Sequence, residues 1–399
     1  MKKVLLIALT VLLSGCGLWS AFEDFMPDYN PDGLEEEELQ ELKEQKAVPA
    51  ELVDFEKEVQ PVKLWSKNLV GDYESLGTGI RPVLDQGKVY VADSEGKVVA
   101  VDATTGETLW KVKLEVPVGG GVGIGGDLAF VGSIDGEVIA LEAGTGAERW
   151  RKQLSSEILA APSGNGDIVV AQVQDGRIVG LDAQTGEERW QFEVEVPVLT
   201  LRGTSTPLVK GNTVITGFAN GKVYAFSAAT GDMMWENRIT VPQGRSELER
   251  IVDIDGQPLL VNDVVYAVSY QGRIGAVSRT GKGIWYQDMN SIHGPAYGLA
   301  QVYVADTEGE VKALRASSGS VLWTNDQLSH RTLNGPAVVG GYIMVADSEG
   351  YLHVLSQTDG RFLGRTKVDG SGVSAPMVSD GETLYILDND GGLSAYTFE

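Results

Sequence analysis

The sequence predicts an all-β chain closed into an eight-bladed β-propeller of four-stranded antiparallel blades, and three observations carry that prediction. A Gly-x-x-x-Trp element recurs, ending at Trp110, Trp150, Trp190, Trp235, Trp285 and Trp323 with spacings of 40, 40, 45, 50 and 38 residues. A second marker runs in register with it eight times: "SEGKVVA", "IDGEVIA", "QDGRIVG", "ANGKVYA", "YQGRIGA", "TEGEVKA", "SEGYLHV" and "NDGGLSA". Fifty glycines against 14 prolines punctuate Val-rich runs, the composition of short strands joined by tight turns. A period near 40 residues with turn signals inside each copy is the length of a four-stranded blade.

Taken along the chain, residues 1–15 read as a signal peptide: Lys2 and Lys3, the apolar run "VLLIALTVLL", then Ser14 and Gly15. That run is too short to span a bilayer. "LSGC", Leu13 to Cys16, resembles the lipobox of bacterial lipoproteins, which implies acylation of Cys16 as the mature N-terminus; the alternative is a secreted protein with a free thiol. Gly17 stands where an aspartate would imply inner-membrane retention, so the same resemblance implies a lipid anchor in the outer membrane, facing the periplasm. The acidic run "EEEELQELKEQK", residues 35–46, has Glu/Lys pairs at helical spacing and reads as a solvated tether. The tether is expected to extend from Cys16 to residue 60, and the propeller to occupy residues 61–399.

Inside each blade, the glycine of the second marker can take positive φ at a hairpin turn between two apolar strands. Four residues after it stands Ala or Gly in seven copies, with Val354 the exception, which suggests that sheets pack closely there. Strands such as "GRIVGLDA" are apolar at successive positions, as expected when stacked blades cover both faces. A degenerate copy, "QTDGRFLG", has Gly364 where tryptophan would stand, and "VQPVKLW" ends at Trp65 without the preceding glycine. The last copy stops after its third strand at "LSAYTFE", so pairing of Leu64–Val70 with the C-terminal strand is expected to close the ring.

A ligand site needs a few residues in one place, whereas the tryptophan element recurs around the whole ring. Trp65, Trp110, Trp150, Trp190, Trp235, Trp285 and Trp323 therefore read as anchors that dock each blade on its neighbour. The motif D-A-x-T-G-x-x-x-W resembles the docking repeat of pyrroloquinoline quinone dehydrogenases, which implies an alternative function as a periplasmic quinoprotein dehydrogenase. Members of that family use a stacked quinone and Ca²⁺, and many use adjacent cysteines. Here no cysteine follows Cys16, and no inserted segment supplies a metal cage. The reading is therefore non-enzymatic, with no cofactor and no metal.

A net charge of −24 without clustered Lys or Arg excludes nucleic acid as a partner, because phosphate neutralisation needs such clusters. A single cysteine excludes an intramolecular disulfide and a CxxC pair. "GVGIGG", residues 121–126, satisfies G-x-G-x-x-G but precedes a strand rather than a helix, and is expected to be a blade turn. "DNDGG", Asp388 to Gly392, lacks the later ligands of a calcium loop and reads as a turn. His293, His330 and His353 have no zinc-ligand spacing, and no G-x-S-x-G elbow precedes a helix.

Function on such a scaffold belongs in loops of unusual length. The connection after Trp190 is lengthened by "VLTLRGTSTP" and the one after Trp235 by "ENRITVPQGRSELERIVDIDGQP", with a weaker lengthening at "VGDYESLGTG" after Trp65. The first two fall in consecutive blades and should lie side by side on one face. They offer Leu199, Leu201 and Arg202, and Asp253 and Asp255 with Arg245 and Arg250 nearby, a composition suited to a protein partner. Alternatively, Arg202 and the aspartates only brace each other.

Signal peptide, lipobox, acidic tether and eight tryptophan-docking blades together resemble the propeller lipoproteins of the outer-membrane β-barrel assembly machinery. The more specific matches are "LTLRG", "ELERIVDIDGQP", "LSHRTLNGPAV" and "ADSEGYLHVLSQTDGRF". In that family the LxLRG and DxD loops contact the periplasmic POTRA domains of BamA, which by motif implies Leu199, Leu201, Arg202, Asp253 and Asp255 as the partner-binding residues here. The resemblance implies a scaffold that assists insertion of β-barrel proteins. Blade edges that capture nascent outer-membrane strands are a further role the architecture offers.

Overall fold

Each pair of turn markers brackets four strands, and the computed structural model, which describes residues 48–71 and 79–399, shows eight four-stranded antiparallel sheets. Blades 1 to 7 occupy residues 83–113, 118–153, 163–193, 208–238, 259–289, 296–325 and 337–367. Blade 8 combines three C-terminal strands with Pro61–Asn68, which pairs antiparallel with Gly392–Phe398 from Pro61↔Phe398 to Asn68↔Gly392. Ring closure is therefore as the truncated last copy implied. The leader, Cys16, the run 35–46 and most of "VGDYESLGTG" lie outside the described residues.

The burial of each strand follows its place in the blade. In blade 3, Ile168–Gln172 is buried at every residue and Arg177–Asp182 at its four central ones. The outermost strand Glu188–Glu193 alternates, with Trp190 turned inward. Apolar runs thus become the strands sandwiched between blades, and alternating ones become the rim.

The tryptophans sit between blades. Each indole N–H donates to a backbone carbonyl of the next blade: Trp65 to Ala103, Trp110 to Ala143, Trp150 to Ala183, Trp190 to Ala228, Trp235 to Arg279, Trp285 to Ala316 and Trp323 to Gln357, at 2.8–3.1 Å. The same indole covers the glycine of that blade's Thr-Gly-type turn. Gly231 has φ +73°, and a β-carbon there would lie 2.6 Å from Trp190, so turn conformation and close approach both demand glycine. The small residue of the hairpin marker has its reason here too. Ala100, Ala140, Gly180, Ala225, Ala276 and Ala313 are the direct cross-strand partners of Trp110, Trp150, Trp190, Trp235, Trp285 and Trp323, and Ala395 is that of Trp65. Where the small partner is replaced by Val354, the residue opposite is Gly364.

Two expectations are corrected. "GVGIGG" is no turn through most of its length: Val118–Gly125 is the innermost strand of blade 2. Its glycines admit the backbone of blade 3, since a β-carbon on Gly123 would lie 1.6 Å from the Pro162 carbonyl. Second, the packed unit starts at Pro49 rather than at residue 61. Residues 50–60 form a strap along blade 7: Ala50 N–H donates to Ser329 O, and Glu58 and Val59 N–H both donate to Leu363 O. Leu52, Val53 and Phe55 pack on the blade 6/7 core. The run "ELVDFEKEV" carries enough apolar side chains to bind, although its charge makes it read as tether.

His330 is half-buried at the blade 6/7 crossing, between the two residues that bond Ala50, and His293 lies near the axis. His353 is buried, with Nε2 3.0 Å from Asp347 Oδ2 and Nδ1 accepting from Arg365 Nε. Arg331 joins Asp347 and Glu349 and donates to Ala50 O, while Arg365 donates to Val53 O. These residues clamp the strap. "DNDGG" is a turn in which Gly392 N–H donates to the Asp388 carboxylate.

Candidate functional site

The lengthened connections run from the outer strand of one blade to the inner strand of the next, between blades 3 and 4 and between blades 4 and 5, so they adjoin on one face. The first crosses without regular structure from Val194 to Pro207 and leaves Val198 fully exposed, Leu199 and Arg202 exposed, and Leu201 half-buried. Underneath lies Asp253 from the second crossing, 1 % exposed. Its Oδ2 accepts the Leu201 N–H, its carbonyl accepts the Tyr270 N–H, and its Oδ1 has no partner among the described residues. Ser205 Oγ adds a second tie by donating to Gly256 O at 3.2 Å. The Asp253 carboxylate therefore fixes the backbone from which Leu199, Leu201 and Arg202 project.

Asp255 is half-buried against Gly203, where a β-carbon would lie 3.2 Å from the carboxylate. Burial pushes Asp253 up to about 7, against the pull of the Leu201 N–H. Burial, reinforced by the charge of Asp253, pushes Asp255 up to about 8. A cation brought against the half-buried Asp255 would favour its charged form and release its proton to water, so Asp255 can meet positive charge on a partner.

Arg202 does not brace the aspartates. Its Nη2 lies 3.3 Å from Glu157 of the preceding crossing, an exposed pair worth little on its own. Arg245 and Arg250 also stay apart from them: the Glu249 carboxylate accepts the Arg245 and Ser246 N–H groups, and Arg250 pairs with Glu247 at 3.9 Å. Of the five residues singled out from the sequence, the structure thus places Leu199, Leu201 and Arg202 at the surface, Asp255 at its margin and Asp253 beneath. Glu157 was not foreseen, because it stands in a crossing of ordinary length.

An axial funnel opens beside this patch, with a volume of about 670 Å³ and walls from Leu201 and Asp255 round to Met377. Its sequence signal is a proline ahead of the inner strand in seven blades: Pro82, Pro162, Pro207, Pro258, Pro295, Pro336 and Pro376. Proline suits an inner strand whose axial edge needs no donor, and six of the seven residues before these prolines line the funnel. Those residues are mostly small, but Arg81 and Gln257 are long, and they meet. Among the described residues no group of three His, Cys, Asp or Glu side chains is placed to hold a metal ion.

The profile of the family "Outer membrane protein assembly factor BamB" matches residues 60–120, 94–325 and 307–399. The BamB of Pseudomonas aeruginosa is 49 % identical over 350 residues, covering 88 % of this chain and 92 % of that one. That of Escherichia coli K12 is 31 % identical over 411 residues, covering 100 % and 99 %. Among solved structures, BamB from Moraxella catarrhalis superposes with TM-score 0.77 at 30 % identity, covering 85 % of this chain and 100 % of that one. The quinohemoprotein alcohol dehydrogenase of Comamonas testosteroni also superposes, with TM-score 0.66, but at 17 % identity over 86 % of this chain and 76 % of that one the likeness is one of fold alone. By sequence over nearly its whole length, the chain belongs to the family of the outer membrane protein assembly factor BamB.

Proposed function

We propose that this chain is a scaffold lipoprotein of the outer-membrane β-barrel assembly complex, held by a lipid on Cys16 at the periplasmic face of the outer membrane and docked on the POTRA domains of BamA. It acts as an assembly factor rather than as a dehydrogenase, in keeping with its relatives' names. The single observation that supports the docking site is the exposed Leu199–Arg202 loop held from below by the Asp253 carboxylate. An exposed loop that must present leucines and an arginine to a partner gains affinity by being ordered beforehand. Arg202 is the anchor, and Asp253 positions it.

The test is a pull-down of BamA periplasmic domains by the mature chain. Arg202→Ala should weaken capture by about tenfold or more while melting like the wild type, as expected of a hot-spot arginine. Wild-type protein that captures nothing would refute the assignment of the partner. Release of the protein from membranes by Cys16→Ser tests the anchor.

The outer edge of blades 1 to 6, along which no strap runs among the described residues, supports a second role. Met233–Arg238, for example, pairs on one side only, with Lys222–Ser227. Such an edge can add a strand from an unfolded barrel protein. A strand-forming client peptide that shows no binding to the isolated chain would remove that reading.

A further inference from the structure

The axial funnel holds a charge without a counter-ion. Arg81 enters the ring ahead of blade 1 and Gln257 ahead of blade 5, four blades apart in a ring of eight, and Arg81 Nη1 donates to Gln257 Oε1 at 2.8 Å. This bond crosses the ring axis and forms the floor of the funnel. The Arg81 backbone is tied to blade 2 by its N–H to Gly121 O, and Gly79 N–H lies near both Gly119 O and Leu159 O. The guanidinium is therefore held in place, not swung in from solvent.

Arg81 Nε is buried without a partner, and among the described residues no carboxylate lies within ion-pair distance of Arg81. Burial pulls its pKa down to about 10, still charged at neutral pH. Asp255 on the wall is held largely protonated by burial, and burial of His293 pulls it down to about 4, so it stays neutral. The rest of the wall is mostly apolar, with Ile80, Leu159, Leu259 and Met377 interrupted by Thr204, Thr206 and Ser374, and Arg202 at the mouth. A charge left unpaired in such a setting is costly unless something else completes it. The volume, the largely apolar lining and the few polar groups around the guanidinium are those of a recognition pocket.

We propose that this funnel receives a carboxylate carried on an apolar body, and that the occupant is an acidic side chain flanked by apolar residues on the protein that docks at the rim. The choice of occupant rests on the docking function proposed above: Leu201, Arg202 and Asp255 belong both to that rim and to the funnel mouth. The carboxylate pairs with the part of the Arg81 guanidinium that the funnel exposes, and enters from the face where the partner already sits.

Two arms test it on the full mature chain. In the first, 3-phenylpropionate and its uncharged amide are titrated while amide resonances are followed. The carboxylate should give saturable shifts at the funnel floor, the amide none, with the response lost in Arg81→Gln and partly kept in Arg81→Lys. In the second, binding of BamA periplasmic domains is compared for wild type, Arg202→Ala and Arg81→Gln. Loss of a charge-assisted pair should weaken Arg81→Gln by about tenfold, without a lower melting temperature. No difference between carboxylate and amide overturns the site. A carboxylate response that depends on Arg81, with BamA binding unchanged in Arg81→Gln, overturns the partner as occupant and leaves a free small carboxylate in its place. Wild-type protein that binds the probe but not BamA overturns the docking function and, with it, the choice of occupant. Should Arg81→Gln fail to fold, the carboxylate–amide comparison on wild type and the Arg81→Lys variant decide.

Discussion

Seven of the eight blade interfaces are sealed by a tryptophan, and the eighth, between blades 7 and 8, is sealed by a strap. The difference shows what the tryptophan requires. An indole docks on the Thr-Gly-type turn between the third and fourth strands of the next blade. In blade 8 those strands are Gly392–Phe398 and Pro61–Asn68, from opposite ends of the chain, so no such turn exists. A tryptophan at 364 would have nothing to dock on. The Val59 carbonyl instead occupies the space in front of Gly364, 2.4 Å from where its β-carbon would stand, and the cross-strand volume moves to Val354. The requirement for chain closure thus propagates into two positions of blade 7, Gly364 and Val354, and one of the strap, Val59.

The largest effect expected from breaking this comparison is at a tryptophan interface. Trp190→Ala removes a buried indole and its bond to Ala228 O, and should cost about 4 kcal/mol by denaturant unfolding. A loss below that of an exposed substitution would show that blade packing does not depend on the indole. Converting the eighth interface to the common type should also harm it. Gly364→Trp is expected to cost about 3 kcal/mol by overpacking, and adding Val354→Ala should not rescue it, because the obstacle is the Val59 backbone. A stable Gly364→Trp variant would mean that the strap is dispensable. Ala225→Val imports the blade 7 residue into blade 4, against Trp235, and should cost about 2 kcal/mol.

How far these features could be read from sequence follows from their cause. The tryptophan period, the turn markers and the split last blade are repeated, so eight copies agree where one would be ambiguous. Gly364 and Val354 both stood out as exceptions, but only their register as direct partners shows that one compensates for the other. The strap escaped because "ELVDFEKEV" occurs once and its charge resembles that of the acidic run before it. "GVGIGG" misled because the reason for its glycines is the backbone of blade 3, which no local pattern encodes. At the candidate site, loop length brought the two lengthened crossings together on one face. It could not separate Asp253, which is buried and holds Leu201, from Arg202, which is exposed. Arg81 was missed because its partner Gln257 is 176 residues away and meets it only when the ring closes.

The smallest expected effect distinguishes the two kinds of interface by acid. The seals at Trp110 and Trp190 contain no histidine, whereas the strap is clamped by Arg331, Asp347, His353 and Arg365, with Glu349 at the edge. Burial holds His353 below its ordinary value despite Asp347, so it is neutral when folded. Burial raises Asp347, but hydrogen bonds from His353, the Tyr351 N–H and Arg331 outweigh it and hold the group below the usual range. For a histidine lowered in the folded state, the unfolded chain binds more protons, so stability is present above about pH 6.5 and is lost as pH falls below it. Lowered Asp347 acts in the same direction, below about pH 4. Protonated His353 would also present an N–H to Arg365 Nε, which now donates to Nδ1. Amide exchange at Glu58 and Val59 should therefore accelerate between pH 7 and pH 5 relative to the indole N–H groups of Trp110 and Trp190, after correction for intrinsic rates. In His353→Gln that difference should disappear. Equal acid sensitivity at both kinds of interface would show that the strap is held by its apolar residues alone, with Phe55 on Phe362 as the contact that matters.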